Sequence, residues 1–247
     1  NGLVLEIEVA LAPAHPWQEH IVVFRDFDHA LEFANAVAHA PGIVKRELAV
    51  MADPIPAAFK QLSDHLPADC EAVFLTIAPS SEPALHELVA QWQGEVTYCK
   101  SAEEIARTNR TLIEYTWNHT TLVVFKTHKN ITYLQCAYTA GEHLKQVRRM
   151  RELLHPEVQP HLEFIRNMDG MMTCTALPIV QFTTEERLQE IMQLFRDNGV
   201  RINDPHVYVV EDGKAGGGLP PGALELKQRF DPLGLLNPGK MRSWTPG

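Results

Sequence analysis

The alternation of apolar and polar positions predicts short strands and amphipathic helices along the first third of the chain. A run such as "HIVVF" (20–24) is typical of a strand, whereas residues 28–40 place their apolar side chains on one helical face and stop at Pro41-Gly42. A short helical insert is predicted around residues 55–65. The remaining predicted elements are strands at 43–51, 72–78 and 95–99 and a helix at 81–92.

The same order of elements recurs after a connecting helix predicted at residues 101–117. Its first strand is either "LVVFK" (122–126) or "ITYLQCAY" (131–138). Thr183 and Glu186 have the spacing of a capping box and start the last helix. The further elements are a helix at 141–154, strands at 161–167 and 172–182, a helix at 184–198 and a strand at 207–211.

A strand-helix-strand-strand-helix-strand order that occurs twice is the pattern of ferredoxin-like units. We therefore predict an α+β fold of two βαββαβ units, about 17–100 and 118–211, in which helices cover an antiparallel sheet. The two sheets can pair edge to edge or face to face.

The C-terminal tail combines a flexible connection with two rigid turns. Residues 212–222 are rich in Gly and Pro, and residues 223–230 are predicted to be a short helix. In Asp231-Pro232-Leu233-Gly234 and Asn237-Pro238-Gly239-Lys240, proline presets φ and glycine accepts positive φ, so both stretches predict tight turns. A tail with such turns is expected to dock on an apolar surface.

Composition excludes several classes of protein. Apolar residues make up 45% of the 247 residues and charged residues 21%, which is typical of a globular protein, and the net charge of −9 disfavours binding to nucleic acid. The four cysteines form no CxxC pair, so reduced thiols are expected. The sequence shows neither a membrane-spanning run nor a signal peptide, so we expect a cytoplasmic protein.

The glycine run and the histidines do not match known ligand motifs. Lys214 precedes the glycines, whereas a phosphate-binding loop needs its lysine after them, so a linker is favoured. No histidine pair has the i, i+4 spacing of a helical metal site, and we expect no metal.

Two groups of side chains are candidates for chemistry. His206 and Tyr208 alternate along the predicted strand 207–211 and could together deprotonate a hydroxyl group, although an outward-facing strand without a catalytic role explains them equally well. His119, Lys126 and Tyr138 lie on what we predict to be adjacent strands, whose mixed aromatic and basic face would suit a small organic acid. Ordinary amphipathic strands explain that second group as well.

The two ends of the chain carry a family resemblance. "DPLGLLNPGKM" (231–241) resembles the C-terminal signature of FAD-linked oxidases of the vanillyl-alcohol oxidase and p-cresol methylhydroxylase superfamily, nearest the branch of the glycolate oxidase flavoprotein subunit and the D-lactate dehydrogenases. "NGLVLEIEVALAP" (1–13) is similar to the last strand of the FAD-binding domain in those proteins. The His-rich metal motif of that branch has no counterpart in residues 163–182.

The resemblance implies a part of a longer flavoenzyme. Residues 1–16 would end the FAD-binding domain, residues 17–211 would form the cap or substrate domain, and residues 212–247 would return to the flavin. Asn237, Gly239, Lys240 and Gly2 are then the candidates for contact with FAD, most of which an FAD-binding domain upstream or in a partner chain would hold. The abrupt entry from Asn1 into a strand pattern also favours an excised part of a longer protein.

The implied activity is oxidation of a small organic substrate, such as a hydroxy acid or an alcohol, by hydride transfer to the flavin. A homodimer is compatible with this organisation. The alternative is a ferredoxin-like module that binds a ligand or a protein without redox activity, since two βαββαβ units need no cofactor to fold.

Overall fold

A computed structural model describes residues 4–11, 13–212 and 218–244, apart from the side chain of Asn118. The chain divides into two compact units, residues 15–201 and residues 1–14 together with 202–247.

Eleven strands are found in the described residues, most of them in unit 15–201. They are β1 (Gln18–Phe24), β2 (Lys45–Met51), β3 (Glu71–Ile77), β4 (Glu95–Lys100), β5 (Ile131–Tyr133), β6 (Gln135–Ala137), β7 (Val158–Gln159), β8 (His161–Arg166), β9 (Met172–Ala176), β10 (Ile179–Gln181) and β11 (Arg201–Asn203).

Seven α-helices connect or follow these strands within the described part of the chain. They are α1 (Phe27–His39), α2 (Glu82–Gln91), α3 (Ala102–Thr108), α4 (Asn118–Thr127), α5 (His143–Leu154), α6 (Glu185–Asp197) and α7 (Ala223–Phe230). None of these helices combines the length and the apolar character that crossing a bilayer requires.

The main sheet has the order β11-β6-β9-β8-β2-β3-β1-β4. The pairs β1–β3, β1–β4, β2–β3, β2–β8, β6–β9 and β8–β9 are antiparallel. Each half repeats the strand order of a ferredoxin-like unit, in which the first and third strands lie side by side in the middle. The predicted α+β fold with two ferredoxin-like units is therefore confirmed. The sheets of the two ferredoxin-like units join edge to edge. A smaller sheet has the order β5-β10-β7.

The two halves meet along a short seam between β2 and β8. Only three residue pairs form this ladder: Ala49↔Glu163, Val50↔Leu162 and Met51↔His161. Before Ala49, β2 continues beside β3 alone, and after Glu163, β8 continues beside β9 alone. The two strands therefore diverge on one side of the seam.

The two faces of the sheet pack against different parts of the chain. Leu48 and Val50 point to the face that α1 covers, as alternate residues of a strand must. On the opposite face, Ala49, Met51 and Phe74 join an apolar cluster with the two 3₁₀ turns Ile55–Ala58 and Lys60–His65 and with Val124 of α4. We call this second side the turn-covered face.

Local sequence explains where the main helices begin. The Asp26 side chain accepts a hydrogen bond of 3.0 Å from the His29 amide and caps α1. The cap of α6 is Thr184, which accepts from the Arg187 amide, so the predicted capping box at Thr183 and Glu186 is wrong by one residue. A complete capping box is formed instead by Ser101 and Glu104 at the start of α3.

Of the two alternatives for this strand, residues 122–126 are wrong, because α4 spans them, and residues 131–138 are confirmed, because β5 and β6 lie within them. The β-branched residues of α4 favour a strand locally. However, Thr120 and Val124 lie one helical turn apart and are both buried, so packing on the turn-covered face decides for a helix. His119 and Lys126 therefore lie on a helix, and the premise that they share adjacent strands with Tyr138 is wrong.

The strand predicted at residues 207–211 is also wrong. β11 (Arg201–Asn203) takes the edge position instead, and Val210–Asp212 is a 3₁₀ turn. Val200 and Ile202 are buried, whereas Tyr208 and Val210 are exposed. The apolar side chains that anchor the edge strand to the core therefore lie earlier in the chain than predicted. His206 and Tyr208 consequently do not project from one strand.

Two longer elements are divided in the structure. Pro178 lies between β9 and β10, where a single strand was predicted at 172–182. The connecting helix predicted at 101–117 ends at Thr108. Its C-cap Asn109 takes a left-handed conformation with φ of 49°, and the 3₁₀ turn Leu112–Tyr115 follows.

The strand predicted in residues 1–13 is not formed in the described part of this segment, residues 4–11 and Pro13. Leu5 is 95% exposed and Leu11 is 89% exposed, with Val4, Ile7 and Val9 also largely exposed. A strand needs a hydrogen-bonded neighbour, and none of the described strands pairs with this segment. Gly2 lies outside the described residues.

Candidate functional site

The divergence of β2 and β8 opens a cleft of about 650 Å³ within unit 15–201. Its walls come from the first half of β2, the second half of β8 and the segment that leads into α4. The polar lining residues that matter below are Lys45, Arg46, Glu47, Trp117, Glu163 and Arg166.

A row of buried carboxylates lies on the turn-covered face beside this cleft. Cross-strand pairing places Glu19 opposite Thr76 and Thr76 opposite Glu47, so these three side chains follow one another across β1, β3 and β2. Glu163 pairs with Ala49, two residues from Glu47, and therefore shares that face. Glutamates are rarely buried unless they are paired, so this row requires partners.

Glu163 is held by the chain that covers the sheet. It is 1% exposed, and its Oε1 accepts hydrogen bonds of 2.8 Å from the backbone amide of Trp117 and 2.8 Å from Nε2 of His161. The Thr120 hydroxyl lies 3.4 Å from the same His161 nitrogen. One carboxylate oxygen thus connects β8 to the start of α4.

Trp117 occupies an unusual backbone conformation at the mouth of the cleft. Its φ of 53° and ψ of −139° are disfavoured for a bulky residue. Strain of this kind persists where surrounding contacts fix it and is concentrated at functional sites. The hydrogen bond to Glu163 is such a contact, and Trp117 remains 45% exposed.

Glu47 differs from an ordinary surface carboxyl. Burial raises the pKa of Glu47, and the negative charge of Glu163 acts in the same direction, against the hydroxyl hydrogen bond that Thr116 donates to Glu47. A carboxyl with a raised pKa can hold a proton closer to neutrality and donate it to a bound oxygen atom. Glu47 also lines the cleft, which makes it a candidate acid or base.

Basic side chains balance the carboxylates in the cleft lining. Lys45 donates hydrogen bonds to the carbonyl oxygens of Ala40 and Ile43, and burial together with the nearby Arg166 lowers its pKa. Arg166 donates to the Gly170 carbonyl oxygen at 2.5 Å. A cleft with cations and a proton-holding carboxyl can bind a small anion that also carries a hydroxyl or carbonyl group.

The predicted site residues of unit 15–201 do not form this cleft. His119 and Lys126 are exposed on α4, and they are not among the cleft-lining residues. Tyr138 is buried beyond β6, where burial raises its pKa well above the usual range. Their proposed role in substrate binding stays a prediction.

The residues that form the cleft were missed in the sequence. Each glutamate stands at an inward-facing position of a strand, as in "KRELAVM" and "HLEFIR". A charged residue between buried apolar neighbours is the signal that could have identified them.

In the other unit, the structure brings together two predicted groups. The Lys240 ammonium lies 3.7 Å from the centre of the Tyr208 ring, and a Cβ atom at Gly239 would come within 3.2 Å of the Tyr208 hydroxyl. The Val210 amide donates to the Lys240 carbonyl oxygen at 2.9 Å. His206 lies close by in the chain, with its ring Nδ1 3.2 Å from Asp204.

Acidic residues of the 3₁₀ turn hold the end of the tail. Glu211 accepts hydrogen bonds from the backbone amide and the hydroxyl of Ser243, and the amide is the main reason why the pKa of Glu211 falls to about 2. Asp212 accepts from Arg242 at 2.7 Å.

Both predicted tail turns are confirmed. The Gly234 amide donates to the Asp231 carbonyl oxygen at 3.0 Å, and the Lys240 amide donates to that of Asn237 at 3.3 Å. Gly234 and Gly239 both have positive φ. Asn237 and Gly239 are exposed.

A buried ion pair fixes the first of these turns. Lys227 of α7 donates to the Asp231 carboxylate, which lowers the pKa of Asp231, and Lys227 also donates to the Leu236 carbonyl oxygen at 2.6 Å. Leu235 nevertheless remains 74% exposed.

Comparisons with known proteins reveal a shared fold. No protein-family model matches the chain, and no curated protein matches it. Among solved structures, it is similar to alkyldihydroxyacetonephosphate synthase in the P1 crystal form, with a TM-score of 0.53 and 9% identity over 92% of this chain. It is also similar to the P212121 form, with a TM-score of 0.52 and 11% identity over 92% of this chain. This chain spans 45% and 46% of those two chains, so it shares its fold with less than half of alkyldihydroxyacetonephosphate synthase.

Proposed function

We propose that the chain is the cap or substrate-binding part of an FAD-dependent oxidoreductase that oxidises a small organic substrate. The observation that carries this proposal is the fold that 92% of the chain shares with alkyldihydroxyacetonephosphate synthase. That protein is an FAD-linked oxidase of the superfamily named above, and residues 231–241 resemble the C-terminal signature of the same superfamily. In this proposal residues 17–211 are the cap, residues 1–16 belong to the flavin domain, and residues 212–247 return to it.

The residues of the tail suit a partial contact with FAD. Asn237 and Gly239 present an exposed turn, whose backbone another molecule can contact. Lys240 supplies a positive charge beside Tyr208. The described residues contain no glycine-rich phosphate loop followed by a helix, so a domain outside this chain would hold most of the cofactor. When bound, FAD supplies the hydride acceptor.

The cleft suits the substrate. Lys45, Arg46 and Arg166 would attract the carboxylate of a hydroxy acid, and Glu47 would hold a proton at the substrate oxygen. An uncharged alcohol would use only the second of these interactions. The charge of the cleft therefore favours a hydroxy acid.

The test uses the natural protein that contains this chain. It should purify with a flavin absorbance spectrum, and a 2-hydroxy acid should bleach that spectrum under anaerobic conditions. Asn237→Ala should reduce the flavin content, whereas Asn130→Ala, which alters an exposed asparagine on the other unit, should not.

A colourless protein would overturn the proposal. If that protein still binds small acids in the cleft, the alternative of a ferredoxin-like binding module without redox activity is correct.

A further inference from the structure

Three side chains of metal-ligand type converge at the free edge of the main sheet. His20 of β1 and Cys99 of β4 are direct cross-strand partners, and Glu82 begins α2 above them. The His20 Nε2 lies 3.4 Å from the Cys99 sulfur, and one ligand atom from each of the three residues lies within 4.8 Å of the others. This group is the His20 cluster, and none of its three members is among the cleft-lining residues.

The spacing of these atoms matches a tetrahedral metal centre. With Zn–S of about 2.3 Å and Zn–N of about 2.0 Å, sulfur and nitrogen ligands of one zinc ion lie roughly 3.5 Å apart. The observed separation of 3.4 Å between His20 Nε2 and Cys99 Sγ agrees with this value. Small side-chain rotations would bring the carboxylate of Glu82 to the same distance.

The state of His20 independently indicates a ligand. The side chain is 0% exposed, and the contact at Nε2, the ring nitrogen that faces Cys99, is with a thiol, a weak hydrogen-bonding group. Buried polar side chains normally have strong partners. A metal bond at Nε2 would provide one.

We propose that His20, Glu82 and Cys99 bind one divalent transition-metal ion, with zinc as the best match. Nitrogen, oxygen and thiolate ligands together suit zinc rather than magnesium or calcium, which prefer oxygen. Cys99 is exposed, so the ion can enter from solvent and a water molecule can complete the coordination.

His86 acts as an outer partner of this site. It lies one helical turn after Glu82, and its Nε2 is 3.7 Å from Glu82 Oε1. Groups that orient a ligand in this way commonly change metal affinity about 10- to 100-fold when they are removed. The bound ion would tie β1, β4 and α2 together.

Cobalt(II) is the probe, because a thiolate ligand gives it a charge-transfer absorption band. The full metal-free protein should bind one cobalt ion per chain with this band, and excess zinc should abolish it. Cys99→Ser should remove the band, and Glu82→Gln should keep it but weaken binding at least about tenfold. Glu87→Gln, an exposed glutamate on the same helix, is the matched control and should bind like the parent.

Two results would overturn the site: a parent protein without the band, or a band that persists in Cys99→Ser. Since Cys99 is exposed, its replacement by serine should leave the fold intact, and circular dichroism checks this. The flavin content of the natural protein is a separate measurement, so failure of the metal site and failure of the proposed oxidoreductase can be distinguished.

Discussion

Replacing Glu163 tests whether this buried carboxylate holds the segment that covers the cleft. Glu163→Leu removes the acceptor for the Trp117 amide and for His161 Nε2. A buried donor left without a partner costs about 1–3 kcal/mol, so two donors cost about 2–6 kcal/mol. The apolar surface that leucine buries offsets about 1–2 kcal/mol of this. Taking the middle of both ranges, we expect the free energy of unfolding to fall by about 2–3 kcal/mol.

Glu163→Gln is the informative comparison. Both hydrogen bonds end on one oxygen, which glutamine retains, so only the contribution of the negative charge is lost. Its expected cost is about 1 kcal/mol, and that of Glu103→Gln, an exposed control, is below about 0.5 kcal/mol.

Thermal unfolding and amide hydrogen exchange measure these effects. At about 2–4 °C per kcal/mol, Glu163→Leu should lower the melting temperature by roughly 4–12 °C. Exchange at the Trp117 amide should accelerate more than exchange elsewhere in α4. Equal stability of the leucine and glutamine variants, with unchanged exchange at Trp117, would refute this account of the cleft.

Two further substitutions test other parts of the chain. Glu47→Gln should flatten the pH dependence of stability in urea titrations. Because the pKa of Glu47 in the folded state is raised above its ordinary 4.5, the native state binds more protons, so the parent loses stability as pH rises from about 4.5 through the folded pKa. The neutral variant should be the more stable protein above that range, and an unchanged slope would contradict the assignment. Lys227→Met should accelerate proteolysis within residues 231–241, because the Asp231 carboxylate loses its buried cation. Lys145→Met, which changes an exposed side chain, should not. Equal cleavage rates in the two variants would show that the ion pair does not hold the tail.

Sequence periodicity was sufficient for the architecture of the first ferredoxin-like unit. Its strands are short buried runs such as "EAVFLTI", bounded by turn residues, and α1 has a wide apolar face with a stop at Pro41. Local pattern and tertiary packing agree there. They disagree at α4, where β-branched residues favour a strand and burial of Thr120 and Val124 selects a helix.

The candidate site was less predictable because it depends on strand register. Glu47 and Glu163 lie more than a hundred residues apart, and the ladder of three pairs between β2 and β8 brings them to one face. His20 and Cys99 come together through the pairing of β1 with β4 in the same way. By contrast, the tail turns were predictable, because proline and glycine specify them within four residues.

The position of the buried carboxylates favours binding over stability as their role. On the turn-covered face, β1, β2 and β3 carry apolar side chains such as Ile21, Met51 and Phe74 at one end, and only the end beside the cleft carries Glu19 and Glu47. Apolar residues that replaced both Glu47 and its hydrogen-bond donor Thr116 would fold at least as stably, since burying charge is costly even when it is hydrogen-bonded. Departures from the general preference for apolar side chains at buried strand positions are usually found at functional sites. The buried glutamates lie where β2 diverges from β8 and where the backbone of Trp117 is strained. The cleft is therefore the part of this chain from which a substrate can best be inferred.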